Sequence, residues 1–123
     1  MATKKILVVD DAITVRMYHR QLMEELGFTV EEAENGIEAL EKGMLDNFDL
    51  FLVDVNMPKM DGYRLVEEMR ITPELQSIPV IMISTEESEQ DKTKAYMAGA
   101  NFYVVKPAQI ELLKTYATLL AGE

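Results

Sequence analysis

Five short apolar runs rich in β-branched residues, at 5–9, 28–33, 50–53, 78–83 and 102–105, recur along the chain, and each gap between them has room for one helix. Three of the runs are almost continuously apolar, the composition of strands buried on both faces. The intervening segments carry apolar residues at helical spacing. Ile13, Met17, Leu22 and Leu26 mark a first helix ending at Gly27, and Ile37, Leu40 and Met44 a second. Leu65, Val66 and Met69 mark a third, Ala95, Met97 and Ala98 a fourth closed by Gly99, and Leu112, Leu113, Tyr116, Leu119 and Leu120 a fifth. Strict strand–helix alternation predicts an α/β domain, a five-stranded parallel sheet covered by helices on both faces.

In open α/β sheets, ligands bind beyond the carboxyl ends of the strands. Here the first run ends in Asp10 and Asp11, the third leads into Asp54, Val55 and Asn56, the fourth ends at Ser84 and Thr85, and the fifth at Lys106 and Pro107. Three carboxylates, a hydroxyl and an ammonium therefore converge on one sheet edge. Two unit charges about 4 Å apart repel by roughly 4 kcal/mol at an effective dielectric near 20. A divalent cation relieves that repulsion, and an all-oxygen donor set favours Mg²⁺. A carboxylate beside a metal, a hydroxyl and a lysine suits acceptance of a phosphoryl group, with Asp54 as nucleophile and Lys106 neutralising the equatorial oxygens.

Bulk properties narrow the function classes. Of 123 residues, 48% are hydrophobic, enough for one core, so a single domain over 1–123 is expected, with no room for an output domain. The net charge of −10 disfavours nucleic acid and anionic membrane as partners. There are no cysteines for disulfides or thiolate metal sites. The apolar run after Lys4 and Lys5 stops at Asp10, too short for a signal peptide, and no stretch approaches the roughly 20 apolar residues of a spanning helix. A cytoplasmic location is expected.

The segments ILVVDD (6–11), DVNMPKMDG (54–62), PVIMIS (79–84) and AGANFYVVKP (98–107) resemble response-regulator receiver domains in order and spacing across nearly the whole chain, most closely the stand-alone chemotaxis (CheY-like) type. The resemblance implies a doubly wound, flavodoxin-like sheet of order 2-1-3-4-5 with five helices. It implies phosphorylation at Asp54 and Mg²⁺ held by Asp10, Asp11, Asp54 and the Asn56 carbonyl, with Asp10 often acting through water. Ser84 matches the hydroxyl that bonds a phosphoryl oxygen, Lys106 the bridging cation, and Tyr103 the aromatic switch that turns inward on activation. Asn56 and Glu86, each two residues past a site residue, match positions that tune the lifetime of the acyl phosphate. The Lys106–Pro107 bond resembles one that is typically cis, and Ala108 stands where many relatives carry phenylalanine.

The implied partners are a histidine kinase as phosphodonor and a downstream protein such as the flagellar motor switch, reached through the face made by the fourth helix, fifth strand and fifth helix. A phosphorelay intermediate or a phosphate sink is the alternative within the class. The domain would be a phosphoacceptor switch rather than an enzyme. An aspartyl-nucleophile phosphatase is disfavoured, since that class places its nucleophile after the first strand with an acid two residues on. A flavin or nucleotide site is disfavoured by the two carboxylates after the first strand. His19 reads as solvated surface, Met17, Met44, Met69 and Met82 as core, residues 86–91 as a solvated loop and helix start, and Gly62 as a tight turn without chemistry.

Overall fold

The computed structural model describes residues 4–106 and 110–122. Pro107 and Ala108, and with them the expected cis bond, lie outside the described residues. Strands β1 (Lys5–Val9), β2 (Thr29–Ala33), β3 (Leu50–Asp54), β4 (Val80–Ser84) and β5 (Phe102–Val105) form one sheet of order β2-β1-β3-β4-β5. All four pairings are parallel. Between and after them run α1 (Ile13–Glu25), α2 (Gly36–Leu45), α3 (Gly62–Arg70), α4 (Glu89–Ala98) and α5 (Ile110–Ala117), the last continuing into a π-helical turn over Thr118–Gly122. This is the doubly wound order that the resemblance implies.

Strand side chains alternate between the two sheet faces, and the core divides accordingly. Ile6, Val8, Leu50, Leu52, Ile81, Ile83 and Val104 pack with Leu22 and Met23 of α1 and Leu113 and Ala117 of α5. Leu7, Val9, Phe51, Val53, Val80, Met82, Tyr103 and Val105 pack with Ala39 of α2, Leu65, Val66 and Met69 of α3, and Ala95 and Ala98 of α4.

Local chemistry sets the helix ends. The Asn35 side chain accepts from Glu38 N–H at 2.8 Å, while the Glu38 carboxylate accepts from Glu34 N–H, so the first turn of α2 is capped from both sides. Asp61 caps α3 and Ser88 caps α4 by the same side-chain-to-backbone logic. At the end of α4, Gly99 has φ 119°, the left-handed conformation that the expected glycine cap requires.

The faces of α1 and α2 differ most from the sequence reading, and Met97 of α4 and Leu119 in the turn after α5, expected on apolar faces, are exposed as well. On α1, Ile13 and Met17 are exposed, at 61% and 58%, and the core side consists of His19, Leu22 and Met23. The reason is angular. Ile13 and Met17 share one stripe, but the five-residue step from Met17 to Leu22 rotates the next pair by roughly 140° around a helix of 3.6 residues per turn. His19 is thus buried rather than solvated, at 4% exposure. On α2, Gly36, Ala39 and Gly43 face inward while Ile37 and Met44 are exposed. A Cβ on Gly43 would lie 2.9 Å from Leu75 Cδ2 and 3.1 Å from Phe51 Cζ, so at this turn the helix lies close to its neighbours, while Leu40 packs against the same core from a part-buried position. Met69 and Met82 are fully buried, as expected.

Candidate functional site

β1 and β3 lie side by side in the middle of the sheet, so their carboxyl ends bring Asp10, Asp11 and Asp54 together. One carboxylate oxygen from each lies within 4.8 Å of the others. Asp10 and Asp54 are buried and Asp11 is exposed, so the cluster meets solvent on the Asp11 side. Lys106, just past β5, puts its Nζ 3.3 Å from Asp54 Oδ1 and 3.7 Å from Asp10 Oδ2. Its reach is fixed by a backbone bond from Lys106 N–H to Ser84 C=O at 2.8 Å, which extends the β4–β5 ladder by one rung.

Burial pushes the Asp54 carboxyl up to about 6, and the neighbouring Asp10 charge adds to the rise while Lys106 opposes it. Asp10 is also raised by burial, against the Ala12 N–H that its Oδ1 accepts at 2.9 Å. At neutral pH Asp54 is still mostly ionised, a desolvated carboxylate with one lysine beside it. Three carboxylates facing one ammonium leave two negative charges uncompensated, the charge of a single divalent cation. Oxygen donors alone, half-open to water, fit a hard, hydrated ion such as Mg²⁺.

Ser84, Glu86 and Tyr103 form a second group at the same edge. Ser84 is buried, and its Oγ accepts from Glu86 N–H at 3.0 Å. The Tyr103 hydroxyl donates to Glu86 C=O at 2.8 Å, and the ring is 5% exposed, so it already lies inward. Glu86 thus joins the two through its backbone, a role that its side-chain chemistry did not signal. Its carboxylate and the Asn56 side chain stand at exposed positions.

Gly62 supports the site more directly than a turn residue would. Its φ is not left-handed; instead, a Cβ there would sit 2.5 Å from Asp54 C=O and 2.8 Å from Met82 Cε. Its N–H donates to Val55 C=O at 2.8 Å, closing the loop under Asp54. Because the nearest obstacle is backbone and not a mobile side-chain tip, Gly62→Ala is expected to destabilise by about 2 kcal/mol. Urea unfolding would check this, and a variant within a few tenths of wild type would refute it.

An open parallel sheet whose central strand ends bring buried carboxylates against a lysine defines a class of α/β protein with its site at the carboxyl edge. Within that class, residues 6–118 match the response regulator receiver domain model. The chain belongs to the response regulator receiver domain family. It is 40% identical over 111 residues to chemotaxis protein CheY-3 of Vibrio cholerae, covering 89% of this chain and 85% of that protein. It is 42% identical over 102 residues, 83% of this chain, to the gliding motility regulatory protein of Myxococcus xanthus. It spans 13% of that protein and 42% of the transcriptional regulatory protein ResD of Bacillus subtilis.

Among solved structures, V. cholerae CheY4 superposes with a TM-score of 0.89 at 34% identity, covering 97% of this chain and 99% of that one. Response regulator protein TrrA of Thermotoga maritima, solved in complex with Mg²⁺ and BeF, gives 0.85 at 31% identity, covering 96% and 99%. The family is one of signalling switches in two-component systems. Among the described residues, no helix is long and apolar enough to cross a membrane.

Proposed function

We propose that this chain is a receiver that takes a phosphoryl group on Asp54 from the phosphohistidine of a histidine kinase. The observation that carries the reading is the meeting of the Asp10, Asp11 and Asp54 oxygens within 4.8 Å, with Lys106 Nζ 3.3 Å from Asp54. Asp11, Asp54 and the Asn56 carbonyl would hold Mg²⁺ directly and Asp10 through water. When bound, the ion neutralises charge on the transferring group.

The chain's own residues account for the rest. Asp54, mostly ionised at neutral pH, attacks phosphorus in line; the new bond is Asp54 Oδ–P, and the P–N bond to the donor imidazole breaks with its electron pair staying on nitrogen. Lys106 turns from its carboxylate partners toward a phosphoryl oxygen. The Ser84 hydroxyl, which accepts from Glu86 N–H and is hydrogen-bonded to the Tyr103 phenol, would turn its proton from Tyr103 to another phosphoryl oxygen. Tyr103, tied to the same Glu86 backbone, links that movement to α4, β5 and α5, the face offered to a target. Exposed side chains at Asn56 and Glu86 border the path of attacking water and set how long the acyl phosphate lasts.

The similarity to CheY-3 and CheY4 supports a chemotaxis role, with a flagellar motor switch as target and the cytoplasm as location. A relay or phosphate-sink role is the second reading, since the gliding-motility relative spans far more chain than one receiver. Incubation with phosphoramidate and Mg²⁺, followed by intact mass, is expected to add one phosphoryl group. The label should vanish with chelator and in Asp54→Ala. A label that persists in that variant moves the acceptor elsewhere.

A further inference from the structure

We propose that Arg16 is a positioning residue for the Asp10–Asp11 turn, and that Glu32 is the brace that holds it. The inference rests on the reading of the acidic cluster as a Mg²⁺ site. Arg16 lies in the first turn of α1, one turn past the two aspartates, and its side chain is 11% exposed. Its Nη1 donates to Asp10 C=O at 2.7 Å while its Nε donates to Glu32 Oε1 at 2.7 Å. The other Glu32 oxygen accepts from Arg20 at 2.7 Å, and the Glu32 backbone C=O accepts from Lys42. Glu32 is therefore anchored to α1, α2 and β2 together. Hydrogen bonding from Arg20, seconded by Arg16, holds its carboxyl below the usual range.

A guanidinium is a rigid plane whose donors keep fixed relative directions. With Nε seated on Glu32, the direction of Nη1 is set, and so is the place where the Asp10 carbonyl must lie. That carbonyl belongs to the peptide plane that leads into Asp11, the exposed and otherwise least restrained carboxylate of the cluster. The Asp10 N–H is fixed separately, by Ala33 C=O at 3.1 Å on β2. Both ends of the Asp10 backbone are thus referred to the β2 strand and its braced glutamate, and the metal carboxylates inherit that frame. Groups that orient metal ligands from behind typically change metal affinity 10- to 100-fold when removed.

The sign of the effect separates positioning from mere charge. Arg16 is a cation whose field reaches Asp10. By electrostatics alone, its removal would tighten the binding of another cation; as a positioning residue, its removal loosens it. Calorimetric titration with MgCl₂ alone, without phosphodonor, should give affinities about tenfold weaker in Arg16→Ala and in Arg16→Lys, which keeps the charge but loses the fork. Glu32→Gln should fall between these and wild type. Unchanged or tighter binding in both Arg16→Lys and Glu32→Gln overturns the proposal, even if Arg16→Ala does not fold. No Mg²⁺ binding by the wild type would instead remove the metal-site reading on which it stands.

Discussion

In chelator at pH 7, Asp54→Asn will be more stable than wild type by about 2 kcal/mol, and Mg²⁺ will narrow or reverse that gap. The folded protein holds the Asp54 carboxyl at about 6 against an ordinary 3.8, because the group is buried and faces Asp10. A shift of that size corresponds to about 3 kcal/mol of folding free energy forgone once the group ionises. Asparagine removes the charge but leaves Lys106 with Asp10 alone at 3.7 Å, so part of the gain is lost. Mg²⁺ binds the wild-type folded state and stabilises it by mass action; the variant lacks a ligand and responds far less. Urea unfolding of both proteins, with and without Mg²⁺, measures all four values. A less stable Asp54→Asn in chelator would contradict the crowding of charge at this edge.

A second large effect is hidden in the wild type by cancellation. Burial, with the Lys106 charge adding to it, lowers the His19 imidazole to about 4 from 6.5. A base with a depressed folded pKa contributes stability above its unfolded value, which is lost as pH falls from 6.5 toward 4, by about 3 kcal/mol in all. Asp54 runs the other way: its folded pKa is raised, so stability is fully present below 3.8 and is lost as pH rises through about 6. The two windows overlap almost completely. Wild type in chelator should therefore show little net change between pH 6.5 and 4. Asp54→Asn, left with His19 opposed only by the raised Asp10, should lose up to about 3 kcal/mol on acidification, and His19→Leu, left with Asp54 and Asp10, should gain stability. Glu32, held low by its arginines, adds acid lability only below its ordinary range. Urea midpoints across this range decide the matter, and three parallel curves would refute it.

The alternation of strands and helices was legible because buried parallel strands must be apolar on both faces, and few other structures require five such runs. The site was legible for a related reason: residues at the carboxyl ends of such strands converge whatever the helices do. Helix faces were harder. On α1, Ile13 and Met17 look like part of one stripe with Leu22 and Leu26, and only the odd five-residue step betrays a change of face. On α2, the inner side is marked by the smallness of Gly36, Ala39 and Gly43, a signal opposite to hydrophobicity. His19 escaped because a single imidazole between Tyr18 and Arg20 carries no mark of burial. Arg16 and the Glu86 backbone escaped because their parts are played through main-chain atoms, which sequence does not distinguish.

The division of the core into two layers has a consequence for how such a chain can change. One thickness of backbone separates Leu113 and its neighbours from Phe51 and Met69, so side chains on opposite sides share few partners. Substitutions well apart and without common partners tend to act independently. Either half can then be rebuilt while the other stays as it is. A lineage could refashion the α1–α5 layer without disturbing the packing beneath α2, α3 and α4, and the rim of carboxylates, seated on the backbone that both halves share, would keep its shape throughout.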